Sequence, residues 1–254
     1  MFFDSCTHPT IDGLWTRDRR GLTFAELATR TSNSDSEKVL AIGLPSVGSY
    51  NHVEYKFECD KYSFEAVAGL TTCDKKLIPR EVEEVAELGY RAIKVHPRLL
   101  GKNQNLDYLT DVFDACVGHN MVCLFCTYEA DSPGHLPETD PFYALCRALN
   151  QNPEIRLILM HGGFSRLQQF SGLARHSERI LLDLSFTAMT SSTTLQDEIR
   201  SIMQKLDQRI CIGTDSPEIS LAEFMERVTL LTKGLPKEKL SNIMYQNLDR
   251  FFPK

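Results

Sequence analysis

Ile155-Arg156-Leu157-Ile158-Leu159-Met160-His161-Gly162-Gly163 decides the fold: an apolar run of strand length stops at a histidine, and two glycines follow. Two other stretches end the same way. Asp4-Ser5-Cys6-Thr7-His8 lies at the start of the chain, and Gly213-Thr214-Asp215-Ser216-Pro217 lies near its end. Each puts a metal-competent or proton-transferring side chain where a strand gives way to a loop. In a parallel barrel all such ends meet at one face, so residues about two hundred positions apart can share a site.

Working outward, apolar and often β-branched runs recur at Met1–Cys6, Val39–Leu44, Phe64–Leu70, Ala92–Val95, Met121–Cys126, Ile155–Met160, Ile180–Leu184 and Ile210–Ile212. Stretches with helical spacing lie between them, clearest around Phe24–Ala28, Val82–Leu88, Leu106–Cys116, Phe142–Leu149 and Leu221–Leu231. Pro79 sits in a first helical turn, and Gly89 falls where a helix should stop. Strand and helix alternating about eight times imply parallel strands joined by right-handed crossovers. An α/β fold with a single (β/α)8 TIM barrel fits that count better than an open doubly wound sheet, and 254 residues is its usual size. Pro236–Phe252 reads as one further helix packed on the outside. With no linker, repeat or low-complexity segment, residues 1–254 are expected to form one domain.

Hydrophobic residues make up 42% and charged residues 24%, enough to bury a large core. A net charge of -6 argues against nucleic acid or an anionic membrane as partner, since either favours a clustered basic surface. The N-terminus lacks the basic and apolar regions of a secretory signal, and no apolar run approaches the ~20 residues that span a bilayer. Eight cysteines without a signal read as reduced thiols in a cytoplasmic protein. The sequence leaves a homo-oligomer open.

Period-2 alternation puts Phe2, Asp4, Cys6 and His8 on one face of the first strand, so Cys6 and His8 reach the barrel mouth together. Thiolate and imidazole are both good zinc ligands. The plainer alternative is a buried thiol beside a histidine bonded to backbone. His161 gains weight from its company, and Gly162 and Gly163 would let the backbone approach a ligand. Asp215 can ligate a metal or accept a proton; the alternative is a cap on the next helix through Ser216-Pro217. Lys94 and His96 face the same way at the end of strand four, and a buried ammonium there needs a partner or a task, such as binding substrate.

Cys123 and Cys126, three apart in a strand, point to opposite faces, so they are not a redox pair; Cys126 alone reaches the strand end. His52, His119, His135 and His176 are expected on the solvated surface. Leu14-Trp15-Thr16-Arg17-Asp18-Arg19-Arg20 is aromatic and basic, and Arg98 and Lys102 follow strand four. Cations such as Arg17 and Arg98 at the mouth of an acidic protein suit a small anionic substrate; ordinary solvated charge is the alternative. Tyr128–Pro141 is long enough to act as a lid.

Asp4-Ser5-Cys6-Thr7-His8, Ile93-Lys94-Val95-His96-Pro97, His161-Gly162-Gly163 and Gly213-Thr214-Asp215-Ser216-Pro217 together resemble the amidohydrolase-related group of the amidohydrolase superfamily, which includes aminocarboxymuconate-semialdehyde decarboxylase and several lactonases. The likeness runs over essentially the whole chain, to Ile243–Asn247. Its mononuclear sites pair a strand-one HxH with a strand-five His and a strand-eight Asp, and a strand-six His orients the attacking water. Two positions depart: Cys6 stands at the first His of HxH, and Cys126 at the strand-five His. The resemblance therefore implies a metal set of Cys6, His8, Cys126 and Asp215, with His161 beside it as the acid–base residue and a further candidate ligand. Two thiolates and a carboxylate outweigh Zn²⁺ by one negative charge, which lowers its Lewis acidity.

The expectation is a metal-dependent hydrolase, with one divalent zinc, acting on a small anionic amide, ester or lactone. Asp215 and His161 move protons, and Lys94, His96, Arg98 and Arg17 hold the anionic group. Nonoxidative decarboxylation, metal-free lactone opening and a degenerate barrel that only binds remain open as alternatives.

Overall fold

The computed structural model describes residues 1–16, 19–33, 36–100, 105–128 and 138–253. The eight expected strands are all present: β1 (Phe2–Thr7), β2 (Ser36–Ile42), β3 (Glu65–Gly69), β4 (Ala92–Val95), β5 (Val122–Cys126), β6 (Arg156–Met160), β7 (Ile180–Asp183) and β8 (Ile210–Cys211). They pair in parallel, each with the next in sequence. Past β8 the chain turns back onto β1. Ser5 N donates to Ile212 O at 3.2 Å, Asp215 N to Cys6 O at 2.8 Å, and His8 N to Ser216 O at 2.8 Å. Those bonds fasten the sheet into a (β/α)8 TIM barrel.

One helix follows each strand: α1 (Phe24–Ser32), α2 (His52–Lys61), α3 (Ile78–Glu87), α4 (Leu109–Gly118), α5 (Pro141–Gln151), α6 (Leu167–His176), α7 (Thr193–Lys205) and α8 (Leu221–Leu231). Local chemistry sets their ends. Thr23 with Glu26, and Ser220 with Glu223, form capping boxes on α1 and α8. Pro79 occupies the first turn of α3, and Gly89 adopts φ +85° just beyond its end.

Alternation along the strands divides the core into two. Ala92, Val122, Leu124, Ile158, Met160 and Leu181 fill the barrel interior, whereas Ile93, Val95, Cys123, Phe125, Leu157 and Leu159 pack beneath the helices. Lys94, two residues on from Ala92, therefore points inward and is 1% exposed. β1 departs from strict alternation. Its pairing with β2 shifts register twice, so Phe3, not Phe2, joins the interior cluster, and Phe2 stacks on Phe224 of α8 at 5.8 Å.

The terminal segment also differs from a single outer helix. Lys237–Ser241 and Asn247–Phe251 flank one π-helical turn at Asn242–Gln246. It packs against β1 and β8, and Leu248 and Phe251 enter the interior cluster. Asn247 Nδ2 donates to Ile210 O at 2.7 Å and Asp207 O at 2.6 Å, satisfying carbonyls where the last strand begins. Among the described residues no helix is long and apolar enough to cross a membrane.

Candidate active site

Cys6 and His8 arrive from the end of β1, and Asp215 from the turn after β8 that closes the barrel. Cys6 Sγ lies 3.1 Å from Asp215 Oδ1 and 3.5 Å from His8 Nε2, and His8 Nε2 lies 3.4 Å from Asp215 Oδ1. His8 Nδ1 is 3.0 Å from Ile42 O. A carbonyl only accepts, so Nδ1 carries the ring proton and Nε2 presents a lone pair to the other two groups. Metal-binding histidines are oriented in this way.

The charges support that assignment. Burial lowers the His8 pKa, and Lys94 lowers it further, which favours the neutral ring. Burial pushes the Cys6 thiol up, and Asp215 adds to it. Burial would raise Asp215 too, but His161, His8 and Lys94 hold its carboxyl well below the usual range. Three acceptor atoms thus face one another with one thiol proton among them. Zinc bonds of ~2.0–2.3 Å in tetrahedral geometry put ligand atoms roughly 3.3–3.8 Å apart, close to the spacing here. The residues fit a thiophilic divalent ion, and among the described residues they are the group of donors that lie within 4.8 Å of one another.

Cys126 does not join that group. It faces His96 and His161 at the other side of the mouth; burial alone would raise its thiol, but the two imidazoles hold it well below the ordinary range. Burial lowers the His96 pKa. At His161 burial pulls the same way but is outweighed by Asp215 and Cys126, so its pKa rises. The structure brings Cys6, His8 and Asp215 together as a tripod and sets Cys126 with His161 and His96.

His161 and Asp215 both hold the left-handed backbone region, with φ 64° and 55°. Such residues cost ~1–3 kcal/mol each and cluster at functional positions. Asp215 caps no helix; Ser220 caps α8. Gly162 and Gly163 serve packing more than ligand approach. A Cβ on Gly163 would stand 2.1 Å from the Phe170 ring, and one on Gly162 3.0 Å from Leu184.

A cavity of about 370 Å³ opens above the tripod, lined by Lys94, His96, Arg98, His161 and Asp215 among others. Arg98 lies 4.9 Å over the Tyr128 ring, and its Nη2 is 3.5 Å from His96 Nε2. Tyr128 meets Phe186 edge-on at 5.1 Å, and Trp15 tilts over His8 at 5.7 Å. Arg17, Lys102, His135 and most of the expected lid lie outside the described residues. His119 and His176 are exposed as expected. His52 is not: it is half-buried between Tyr50 Oη at 2.8 Å and Glu81 Oε1 at 3.2 Å, because α2 turns it onto α3.

Two polar residues escaped the sequence reading. Asp183 and Ser185, at the end of β7, contact His161 from below: Asp183 Oδ2 accepts its backbone N–H at 3.1 Å, and Ser185 Oγ lies 3.1 Å from its Nδ1. The signal was present, since Asp183 interrupts the apolar run Ile180–Leu184 at an inward position. Asp4 is likewise buried. Its carboxylate accepts Thr214 N at 2.8 Å and Cys6 N at 3.2 Å, and Arg30 approaches at 3.4 Å.

A family model described as amidohydrolase matches residues 54–254. No curated protein matches the chain. Among solved structures, an uncharacterised TIM-barrel protein from Bordetella bronchiseptica superposes with TM-score 0.81 at 16% identity, covering 98% of this chain and 97% of that one. A putative amidohydrolase from Staphylococcus aureus gives 0.71 at 15% identity, covering 98% of each. A 5-carboxyvanillate decarboxylase from Novosphingobium aromaticivorans, complexed with manganese and a nitrobenzoic acid, gives 0.66 at 14% identity, covering 91% and 80%.

Proposed function

This chain belongs to the amidohydrolase family of enzymes, and on that premise we propose that it hydrolyses a small anionic amide, ester or lactone with one divalent metal ion. One observation carries the proposal: Cys6 Sγ, His8 Nε2 and Asp215 Oδ1 face one another at 3.1–3.5 Å below a cavity lined by cations. Cys6, His8 and Asp215 would hold the ion and leave an open position, the pattern of catalytic and not structural sites. Zinc suits the sulfur donor, and when bound it supplies Lewis acidity toward a carbonyl oxygen and a water molecule.

The chain's own residues do the rest. His161 takes and returns the proton, since its ring lines the cavity and is coupled by charge to Asp215. Lys94 and Arg98 hold the anionic group of the substrate, with His96 beside them. Trp15, Tyr128 and Phe186 wall the cavity and exclude water. With Cys126 outside the tripod, one thiolate and one carboxylate balance a divalent charge, and the excess negative charge of a four-ligand set does not arise. No disulfide joins any of the eight cysteines, and the proposal keeps the chain in the cytoplasm.

Metal analysis of protein purified without chelator tests the proposal. Near-stoichiometric zinc, with hydrolysis of carboxylate-bearing lactones or esters, is expected; trace metal would count against it. A second reading is nonoxidative decarboxylation of an aromatic or unsaturated acid on the same residues. It is favoured by the aromatic wall of Tyr128 and Phe186, with Arg98 over the Tyr128 ring, and by the decarboxylase of similar fold that binds a nitrobenzoic acid. Release of carbon dioxide without hydrolysis would select it.

A further inference from the structure

We infer that Ser185, backed by Asp183, is a positioning residue that keeps a proton on Nδ1 of His161 and leaves Nε2 as the nitrogen that exchanges protons. The inference rests on His161 being the acid–base group of the proposed function, and it follows from counting protons along a buried chain of hydrogen bonds.

Asp183 and Ser185 are both fully buried at the end of β7. A carboxylate only accepts. Asp183 Oδ1 therefore takes the hydroxyl proton of Ser5, and Oδ2 takes that of Ser185 together with the backbone N–H of His161 at 3.1 Å. A serine hydroxyl has one proton. Once Ser185 has given it to Asp183, its oxygen meets His161 Nδ1 at 3.1 Å only as an acceptor, so Nδ1 must be the donor. The backbone supplies a second, independent reason. Ser185 O lies 3.4 Å from the same Nδ1, and a carbonyl cannot donate.

The assignment holds in both charge states of the ring. A neutral imidazole keeps its single proton on Nδ1, and an imidazolium keeps that proton and adds one on Nε2. Only Nε2 changes, so proton transfer is confined to one atom in one direction. Two residues of β7 and the turn beyond it fix where the ring sits: Thr187 Oγ1 donates to His161 O, while Asp183 accepts from His161 N, which pins both sides of a left-handed residue. In zinc hydrolases and serine enzymes alike, the group behind a catalytic histidine chooses its tautomer. Here a serine stands between the imidazole and the carboxylate.

Full-length protein labelled with ¹⁵N-histidine, without added metal or substrate, gives the test by long-range ¹H–¹⁵N correlation, with His161→Asn assigning the His161 signals. At a pH where the ring is neutral, the expected spectrum shows a protonated-type Nδ1 and a bare-type Nε2. Ser185→Ala removes the shorter contact at 3.1 Å and leaves only the carbonyl at 3.4 Å, so the two nitrogens should shift toward each other as the tautomers mix, and Ser185→Thr, which retains the hydroxyl, should keep them apart. A bare Nδ1 in the wild-type protein, or a Ser185→Ala spectrum indistinguishable from wild type, overturns the inference. Should Ser185→Ala fail to fold, the wild-type and Ser185→Thr spectra decide it. Because neither metal nor turnover enters the measurement, failure of the hydrolase proposal and failure of this inference are separate results.

Discussion

Two cysteines stand at the same barrel mouth and are driven in opposite directions. Cys6 sits between a carboxylate and a neutral imidazole, and burial together with Asp215 keeps its proton on. Cys126 sits against His96 and His161, which outweigh burial and favour the thiolate. Residue type is the same and burial nearly so; the neighbours decide the chemistry. The β1–β8 corner is a set of acceptors short of a cation, whereas in the β4–β6 corner the imidazoles of His96 and His161 face the Cys126 thiol and favour its ionised form. On the proposed reading a divalent ion goes to the first corner, where it would relieve that imbalance.

The strongest attempt to break this contrast is Asp215→Asn set beside Cys126→Ala. Outer-shell changes already weaken metal sites 10–100-fold, so Asp215→Asn should lower zinc affinity by more than about 100-fold. Cys126→Ala should leave it within a few-fold. Competition against a chromophoric chelator measures both, and equal losses would merge the two corners into one site.

Two carboxylates give the next test, through pH. Burial raises Asp4 to about 6 despite Arg30, whereas Asp215 is depressed. A raised acid binds its proton more tightly in the folded state, so its contribution is full below an unfolded value near 4 and is lost as pH climbs through about 6. At 1.36 kcal/mol per unit, Asp4 removes about 3 kcal/mol across that window. Asp215 runs the other way, contributing above pH ~4 and failing as pH falls below it. Urea unfolding of metal-free Asp4→Asn against wild type from pH 4 to 7 should show the Asp4 slope missing; parallel curves would refute it.

A smaller effect sharpens the second corner. Replacing His161 by Asn removes one of the two imidazoles beside Cys126 and should raise its thiol toward the ordinary range. The ultraviolet absorbance of the thiolate, taken as wild type minus Cys126→Ala, reads the change. Smallest is the control: Thr23→Ala breaks the α1 capping box and should cost about 1 kcal/mol of stability, with zinc affinity and thiolate absorbance unmoved. Any change in either would mean that both corners report global stability.

The strands were legible because apolar runs such as Ile155–Met160 mark themselves by length, and strand ends converge by topology alone. Cys6, His8, His161 and Asp215 could be nominated on that basis. What could not be read was which ends stand close enough to share one ion. Cys126 and Cys6 are equivalent in sequence logic, and only the ring geometry assigns them to different neighbours. The shifted register in β1 was hidden because a bulge leaves no composition signal in Phe2–Thr7. Asp183 and Ser185 were overlooked because their task is directed at another side chain and not at a ligand. The glycines after His161 misled for the same reason, since Phe170, distant in sequence, fills the space they leave.

The closure of the cylinder has a mechanical side. Backbone bonds from Cys6 and His8 to Asp215 and Ser216 lace the last staves to the first, and the three facing donors straddle that same lacing. An ion held there would act as a rivet through both edges, so loading it should slow the parting of β1 from β8 more than any other neighbouring pair.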